Sequence, residues 1–532
     1  MIPVHLLLLV VSAGLKTEST SVSSEDSTGQ MYITVFVENI ASFHPISSKN
    51  KLYVICLFDN TTVEITSPVK QISETLSAGE VKMIEYDASL ELKRSEISNI
   101  ALMVKSTQRI AVHMVSAKNT SVQSALVRPN DKLGTKYYVP PVPPIKRTTN
   151  SVSANVTERQ PFRLIILNTD QKNEVTVEAQ TAQTVFLNPH EVAQIFITDN
   201  TYRTVTANHP ITVIFGHTCA IRHNCTCGLL YTMVPPANDD MLKFYIPTVF
   251  AEGAETETSV LLSSRGSSKI QTFNPNSLLV EIAGTAILFR PGLLLSLIPE
   301  TDFAACYVIN TLTDVNNLAV ILVHKDHTGG VHIGNSPLVN PEWKSLPGTD
   351  YVSSKVKLSS NKYVIWHSFA KMAVYFQGGK EDYLIGNPAP VLGTSPDFRG
   401  CAVSPESVKI GDVANSWQES VQYCKNQGME LVSFLDANHQ SQIYDKIEQA
   451  KEASLLEVWI GMRSSSRNLS WYWLNKHPVN ETDLAGHKLG DPEEGQCVIM
   501  STEREKDFSW SNRECCEKAC PVCYRPPTFF PI

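Results

Sequence analysis

Short apolar runs bounded by turn residues dominate the chain from about Gly29 to Asn387. Leu52-Tyr53-Val54-Ile55-Cys56-Leu57-Phe58 and Phe162-Arg163-Leu164-Ile165-Ile166-Leu167 are two of them, rich in β-branched and aromatic side chains. The spacing predicts strands. No amphipathic helix longer than about two turns is predicted in this region. The strands recur with a period of roughly one hundred residues. An opening element, Gly29-Gln30-Met31-Tyr32, returns as Gly134-Thr135-Lys136-Tyr137-Tyr138, with a weaker echo in Leu242-Lys243-Phe244-Tyr245. A middle element, Asn60-Thr61-Thr62-Val63-Glu64-Ile65, matches Asn173-Glu174-Val175-Thr176-Val177. A closing strand, Ile110 to Val115, matches Ile211 to Gly216 and Leu318 to Val323. Strands at this spacing without intervening helices predict an array of antiparallel β-sandwich-like repeats. The expected units are 29–130, 131–236, 237–345 and a partial 346–385. A Pro/Gly/Ser-rich stretch, 386–399, reads as a linker.

After residue 400 the pattern changes. Trp417-Gln418-Glu419-Ser420-Val421-Gln422-Tyr423-Cys424 reads as helical, and Cys424, Cys497, Cys515 and Cys523 surround Trp459-Ile460-Gly461-Met462. With Trp510 five residues before Cys515, this pattern closely resembles a C-type lectin domain over 400–526. The resemblance implies an α+β recognition fold closed by two disulfides, Cys424–Cys523 and Cys497–Cys515. It also implies that Trp459 and Trp510 are core residues rather than members of a sugar-stacking set with Trp471 and Trp473. The N-terminal repeats, 29–390, resemble the IgG Fc-binding protein N-terminal family. Gly134 to Tyr138, Gly216-His217-Thr218-Cys219-Ala220 and Tyr231-Thr232-Met233-Val234-Pro235-Pro236 carry that resemblance. It implies extracellular binding of glycoproteins or an immune association. Antibody binding is not carried over, because no residue-level site transfers.

Composition narrows the class. The chain has 532 residues, 42% apolar and 18% charged, with a net charge of −8 and no Lys/Arg cluster. It is globular and multi-domain. Nucleic acid is not an expected partner, since phosphate binding needs a basic footprint. Residues 1–18 read as a secretory signal, with the apolar core His5 to Val11 and small residues Ser12-Ala13-Gly14. No later run is long enough for a membrane span. Twelve cysteines and sequons at Asn60, Asn119, Asn155, Asn224, Asn468 and Asn480 fit a secreted glycoprotein.

Candidate chemistry is sparse. Nucleophile elbows, zinc-protease helices and phosphate loops are missing from the sequence, so an enzyme is not expected. His217, Cys219, His223, Cys225 and Cys227 form the densest His/Cys cluster. A zinc site is one reading and a disulfide among Cys219, Cys225 and Cys227 the preferred one. In the lectin family, calcium is held by Glu-Pro-Asn or Gln-Pro-Asp and by Trp-Asn-Asp triplets. Here the matching positions carry Lys488-Leu489-Gly490 and Trp510-Ser511-Asn512. A rearranged calcium site would use Asp491, Glu493, Glu494 and Asn512, and the preferred reading makes these solvated loop residues. No cofactor is therefore expected. The function expected is secreted recognition of glycans or glycoproteins, associated with innate immunity. The rivals are a disulfide-linked component of mucus or matrix and a calcium-independent protein-binding lectin-like module.

Overall fold

The computed structural model describes residues 26–532 apart from 41–47, 119–120, 145, 150–151, 156–160, 222–226, 254–255, 360, 381–382, 436, 452–454, 466–469, 477–478, 480–488, 494 and 504–507. The expected signal segment 1–18 lies outside the described residues, as do Asn119, Asn224, Asn468 and Asn480. The chain divides into an N-terminal body, residues 1–401 with 530–532, and a C-terminal body, residues 402–529.

The N-terminal body is built from four related antiparallel β units, 29–127, 134–233, 241–296 and 304–393. In unit one, Gly29 pairs with Ile110 and, after a bulge, Met31 with Lys105. In unit two, Gly134 pairs with Ile211 and Lys136 with Thr206 across the same irregularity. In unit four, Ala304 bridges Met372 and Cys306 pairs with Trp366. One buried tyrosine marks this crossing each time. The hydroxyls of Tyr32, Tyr137 and Tyr307 donate to the carbonyls of Ile110, Ile211 and Met372. Those of Tyr137 and Tyr307 also accept the N–H three residues upstream, from Gly134 at 2.9 Å and Ala304 at 3.0 Å. Each phenol is thus paired in a dry site, and for Tyr32 and Tyr307 burial holds the proton on well above the ordinary tyrosine range.

This register corrects the expected unit boundaries. Leu318–Val323 was expected to close unit three. It lies instead in the strand Asn316–His324, flanked by Tyr351–Leu358 and Ala373–Lys380. In unit one that central place belongs to Lys49–Cys56, between Val81–Tyr86 and Leu102–Lys118. Unit three therefore ends near residue 296, and unit four is complete rather than partial. Among the described residues unit three lacks a counterpart to the hairpin Thr61–Thr66/Gln71–Leu76. The expected linker 386–399 is also corrected. The strands Tyr383–Pro388 and Val391–Gly393 occupy much of it, pairing with Ala373–Lys380 and Cys306–Asn310.

Several strands bury both faces, and alternate residues enter different cores. Phe162, Leu164 and Ile166 join one core with Phe215, while Ile165 and Leu167 join unit one's core. Val320 and Leu322 point into unit three's core; Ala319, Ile321 and Val323 stay in unit four's. This is why the sequence shows continuous apolar runs there rather than alternation. Four cores result. One is shared by units one and two, one by two and three, one by three and four. The last, with Val115, Tyr53 and Val122 of unit one beside Ile309 and Phe376, joins unit four back to unit one. The four units form a closed ring. Unit one also adds Ile97–Ser98 to the edge of unit two's sheet.

The C-terminal body is α+β. The helix Trp417–Asn426 starts with a capping box, in which Ser416 Oγ accepts the Glu419 N–H and the Glu419 carboxylate accepts the Ser416 N–H. Those bonds hold the Glu419 carboxyl below its usual range. A second helix, Ala437–Ala450, packs Ile443 and Ile447 onto a core with Trp473 and Trp510.

Candidate ligand-recognition site

The strand Glu457–Ser464 carries Trp459-Ile460-Gly461-Met462 through the centre of the C-terminal body. Gly461 is required there, since a Cβ would lie 2.7 Å from the Leu431 carbonyl. Two indoles fix the helix against this strand. Trp417 Nε1 donates to the Ile460 carbonyl and Trp459 Nε1 to the Asn415 carbonyl, at 2.9 and 2.8 Å. Cys424 joins Cys523 and Cys497 joins Cys515, the pairing expected from the resemblance. Trp459, Trp473 and Trp510 are buried, so none is a stacking platform. Trp471 is half-buried, which leaves it as the member of that set open to a ligand, beside Tyr472, which is 38% exposed.

The strands Cys497–Ser501 and Trp510–Arg513 pair with Val498 opposite Asn512. That register aims Asn512 at the loop before Cys497. Its Oδ1 accepts the Gly490 N–H at 2.8 Å, and its Nδ2 donates to the carbonyls of Asp491 and Gly495 at 2.9 and 3.3 Å. Both ends of the carboxamide are spent on loop backbone. Asp491 Oδ1 accepts the Glu493 N–H at 2.9 Å, a local Asx turn. Asp491 and Glu493 are exposed, and Lys488 and Glu494 lie outside the described residues. Calcium takes six to eight oxygens. Of the expected set, only two exposed carboxylates and one already-engaged amide oxygen are described. No cluster of three or more His, Cys, Asp or Glu able to hold a metal occurs among the described residues. The described donors do not fit the ion.

The other cysteine expectations resolve differently. Cys401, which the lectin-domain resemblance leaves unassigned, is bonded to Cys306 and so ties the end of the N-terminal body to its unit four. Nothing in the spacing pointed there, because the partner lies 95 residues away. Cys219 is disulfide-bonded. Cys227 begins the strand Cys227–Met233, and His223 and Cys225 lie outside the described residues. Cys516 is exposed and carries no disulfide. Asn60 is exposed in the turn between Lys49–Cys56 and Thr61–Thr66, at φ 56°, and Asn155 ends the strand Val152–Asn155. The sequence reading missed the clamp made by Asn512, although a polar residue two positions after a buried Trp on a strand was the available signal.

Comparison with known proteins agrees with this layout. The family model for the lectin C-type domain matches residues 413–525, and that for IgGFc binding protein matches 123–281. Human IgGFc-binding protein is 22% identical over 471 residues, which is 77% of this chain and 8% of that protein. Human C-type mannose receptor 2 is 25% identical over 112 residues, covering 21% of this chain and 7% of the receptor. The chain thus spans less than a tenth of either relative. Among solved structures, human lithostathine is 21% identical with a TM-score of 0.20, covering 22% of this chain and 90% of lithostathine. The chain carries a C-type lectin domain and an IgGFc-binding-protein region.

Proposed function

We propose that this chain is a secreted recognition protein whose C-type lectin domain binds glycans or glycoproteins without a bridging calcium ion. The observation that carries this is the Asn512 clamp. A sugar-bridging ion needs a preformed oxygen cage with two positions open for vicinal hydroxyls, and here the amide that would serve it holds loop backbone instead. Disulfides at Cys306–Cys401, Cys424–Cys523 and Cys497–Cys515 favour an oxidising, extracellular compartment. No helix among the described residues is long and apolar enough to cross a membrane. The named relatives are binding proteins and receptors, which supports recognition rather than catalysis and an immune setting. The test is a glycan and glycoprotein array run with calcium and with chelator. Binding that is equal in both supports the reading. Binding abolished by chelator, together with micromolar calcium uptake in calorimetry, overturns it.

One observation favours a second reading, a covalently assembled component of mucus or matrix. Cys516 is an exposed thiol outside the disulfides. A non-reducing gel separates the two, since a matrix component runs as covalent multimers and a discrete receptor does not.

A further inference from the structure

The four-unit ring has one seam that no adjacent pair of units makes, that between unit four and unit one. Its chemistry differs from the others. The tyrosine crossing aligns Ile110, Ile211 and Met372, so three residues on, His113, Ile214 and Tyr375 are equivalent. Each faces the unit before it in the ring. Ile214 enters the core shared with unit one, and Tyr375 the core shared with unit three. His113 faces unit four. Its ring lies in a small cleft, with room for about 10 Å³, lined by Ile309, Asn310, Phe376, Asn387 and Pro390. The imidazole is buried, and its Nε2 has no protein partner. Around it the seam is closed by few bonds. Ser124 Oγ donates to Asn387 Oδ1, Ser27 and Val391 exchange backbone and hydroxyl bonds at 3.1 Å, and Lys362 Nζ donates to the Gly79 carbonyl at 2.8 Å.

We propose that His113 is an acid-sensitive latch of the ring: neutral, it lets unit four seat against unit one, and protonated, it releases that seam. The groups facing it from each packed element are few. Tyr53 stands opposite on the neighbouring strand, ring centroids 6.1 Å apart. From unit four come the uncharged Asn310 and Asn387 and the apolar Ile309, Phe376 and Pro390. No carboxylate lines the cleft to balance an imidazolium, and a buried charge without a partner is strongly disfavoured. Burial accordingly pushes the group down from 6.5 to about 4, and a hydrogen bond from the imidazolium to Asn387, which favours the charged form, offsets only part of that. The depressed value fixes the sign. The seam's stability is complete above the unfolded pKa of 6.5 and is lost as pH falls towards 4. Once pH has fallen through both limits the closing equilibrium is weaker by roughly 300-fold in all, one decade per pKa unit.

The experiment compares the full glycosylated chain with its His113→Gln form between pH 7.5 and 4. Small-angle scattering reports ring opening, and far-UV circular dichroism reports retention of the strands. The expected result is expansion of the wild type below about pH 5 with its β signal kept, and no expansion of His113→Gln over the same range. His113→Leu, which restores the apolar character of Ile214, serves if the glutamine variant does not fold, and it too should stay closed. The proposal is overturned if wild type and variants expand together, if the wild type stays closed to pH 4, or if expansion comes only with loss of the β signal.

Discussion

Tyr137 shows how one side chain fixes a crossing. Its ring is buried, its hydroxyl accepts from Gly134 and donates to Ile211, and it thereby pins the bulge that starts unit two. Removing only the oxygen leaves a buried N–H and a carbonyl short of a partner. Tyr137→Phe should therefore destabilise the N-terminal body by about 1–3 kcal/mol, read as a lower denaturant midpoint, while an exposed tyrosine such as Tyr472 changed to Phe should not. Asn512 is the corresponding single residue in the lectin domain. Asn512→Ala frees the Gly490 N–H and the Asp491 carbonyl, both on an exposed loop. Faster amide exchange at residues 489–496 is expected, with little change in global stability, because water can replace the lost bonds. Unchanged exchange there would mean the clamp does not hold the loop.

Among the elements, the helix Trp417–Asn426 depends most on a covalent tie. Cys424 on its inner face is bonded to Cys523 in the strand Cys520–Arg525, closing a loop of 99 residues. The capping box orders the helix start, but ten residues of low hydropathy cannot hold a helix in water unaided. Replacing both cysteines with alanine should cost about 2–5 kcal/mol and be seen as a fall in the melting temperature of the C-terminal body. The inner bridge, Cys497–Cys515, closes only 18 residues and should matter less by the loop-entropy argument.

The whole N-terminal body is a ring because its strands are apolar on both faces. A unit standing alone would expose one of them. Ile165, Leu167 and Ile214 of unit two are buried only because unit one covers them, and Leu261, Ile287 and Phe289 of unit three sit in unit two's core. Deleting unit four, residues 304–393, should uncover Val115, Tyr53 and Val122 on one side and the core residues Phe250 and Leu295 on the other. That truncation is expected to aggregate or bind a hydrophobic dye on gel filtration, whereas the separate lectin domain, 402–529, should stay monodisperse. A soluble, dye-free truncation would show that the units fold independently and that the ring is not the cooperative object described above.

The sequence by itself determined most of the strands, the opening element shared by the first two units and the lectin cysteines, because these are local. A turn residue, a β-branched run, or a cysteine held at a fixed distance from a tetrapeptide speaks through its own neighbours. It also gave notice that the calcium triplets were replaced, at Leu489-Gly490 and Ser511-Asn512. Tertiary structure alone decided where units three and four divide. Leu318–Val323 and Ile110–Val115 are equally apolar, and only pairing distinguishes a central strand from a closing one. It decided that much of the expected linker 386–399 is strand, with Tyr383–Pro388 folding back on Ala373–Lys380 and Val391–Gly393 reaching Cys306–Asn310 more than eighty residues away, and that Cys401 belongs with Cys306. It decided, too, that Asn512 binds backbone, and that His113 faces across the last seam. Side-chain chemistry is written in the chain, but what a side chain meets depends on which distant strand the fold lays opposite it.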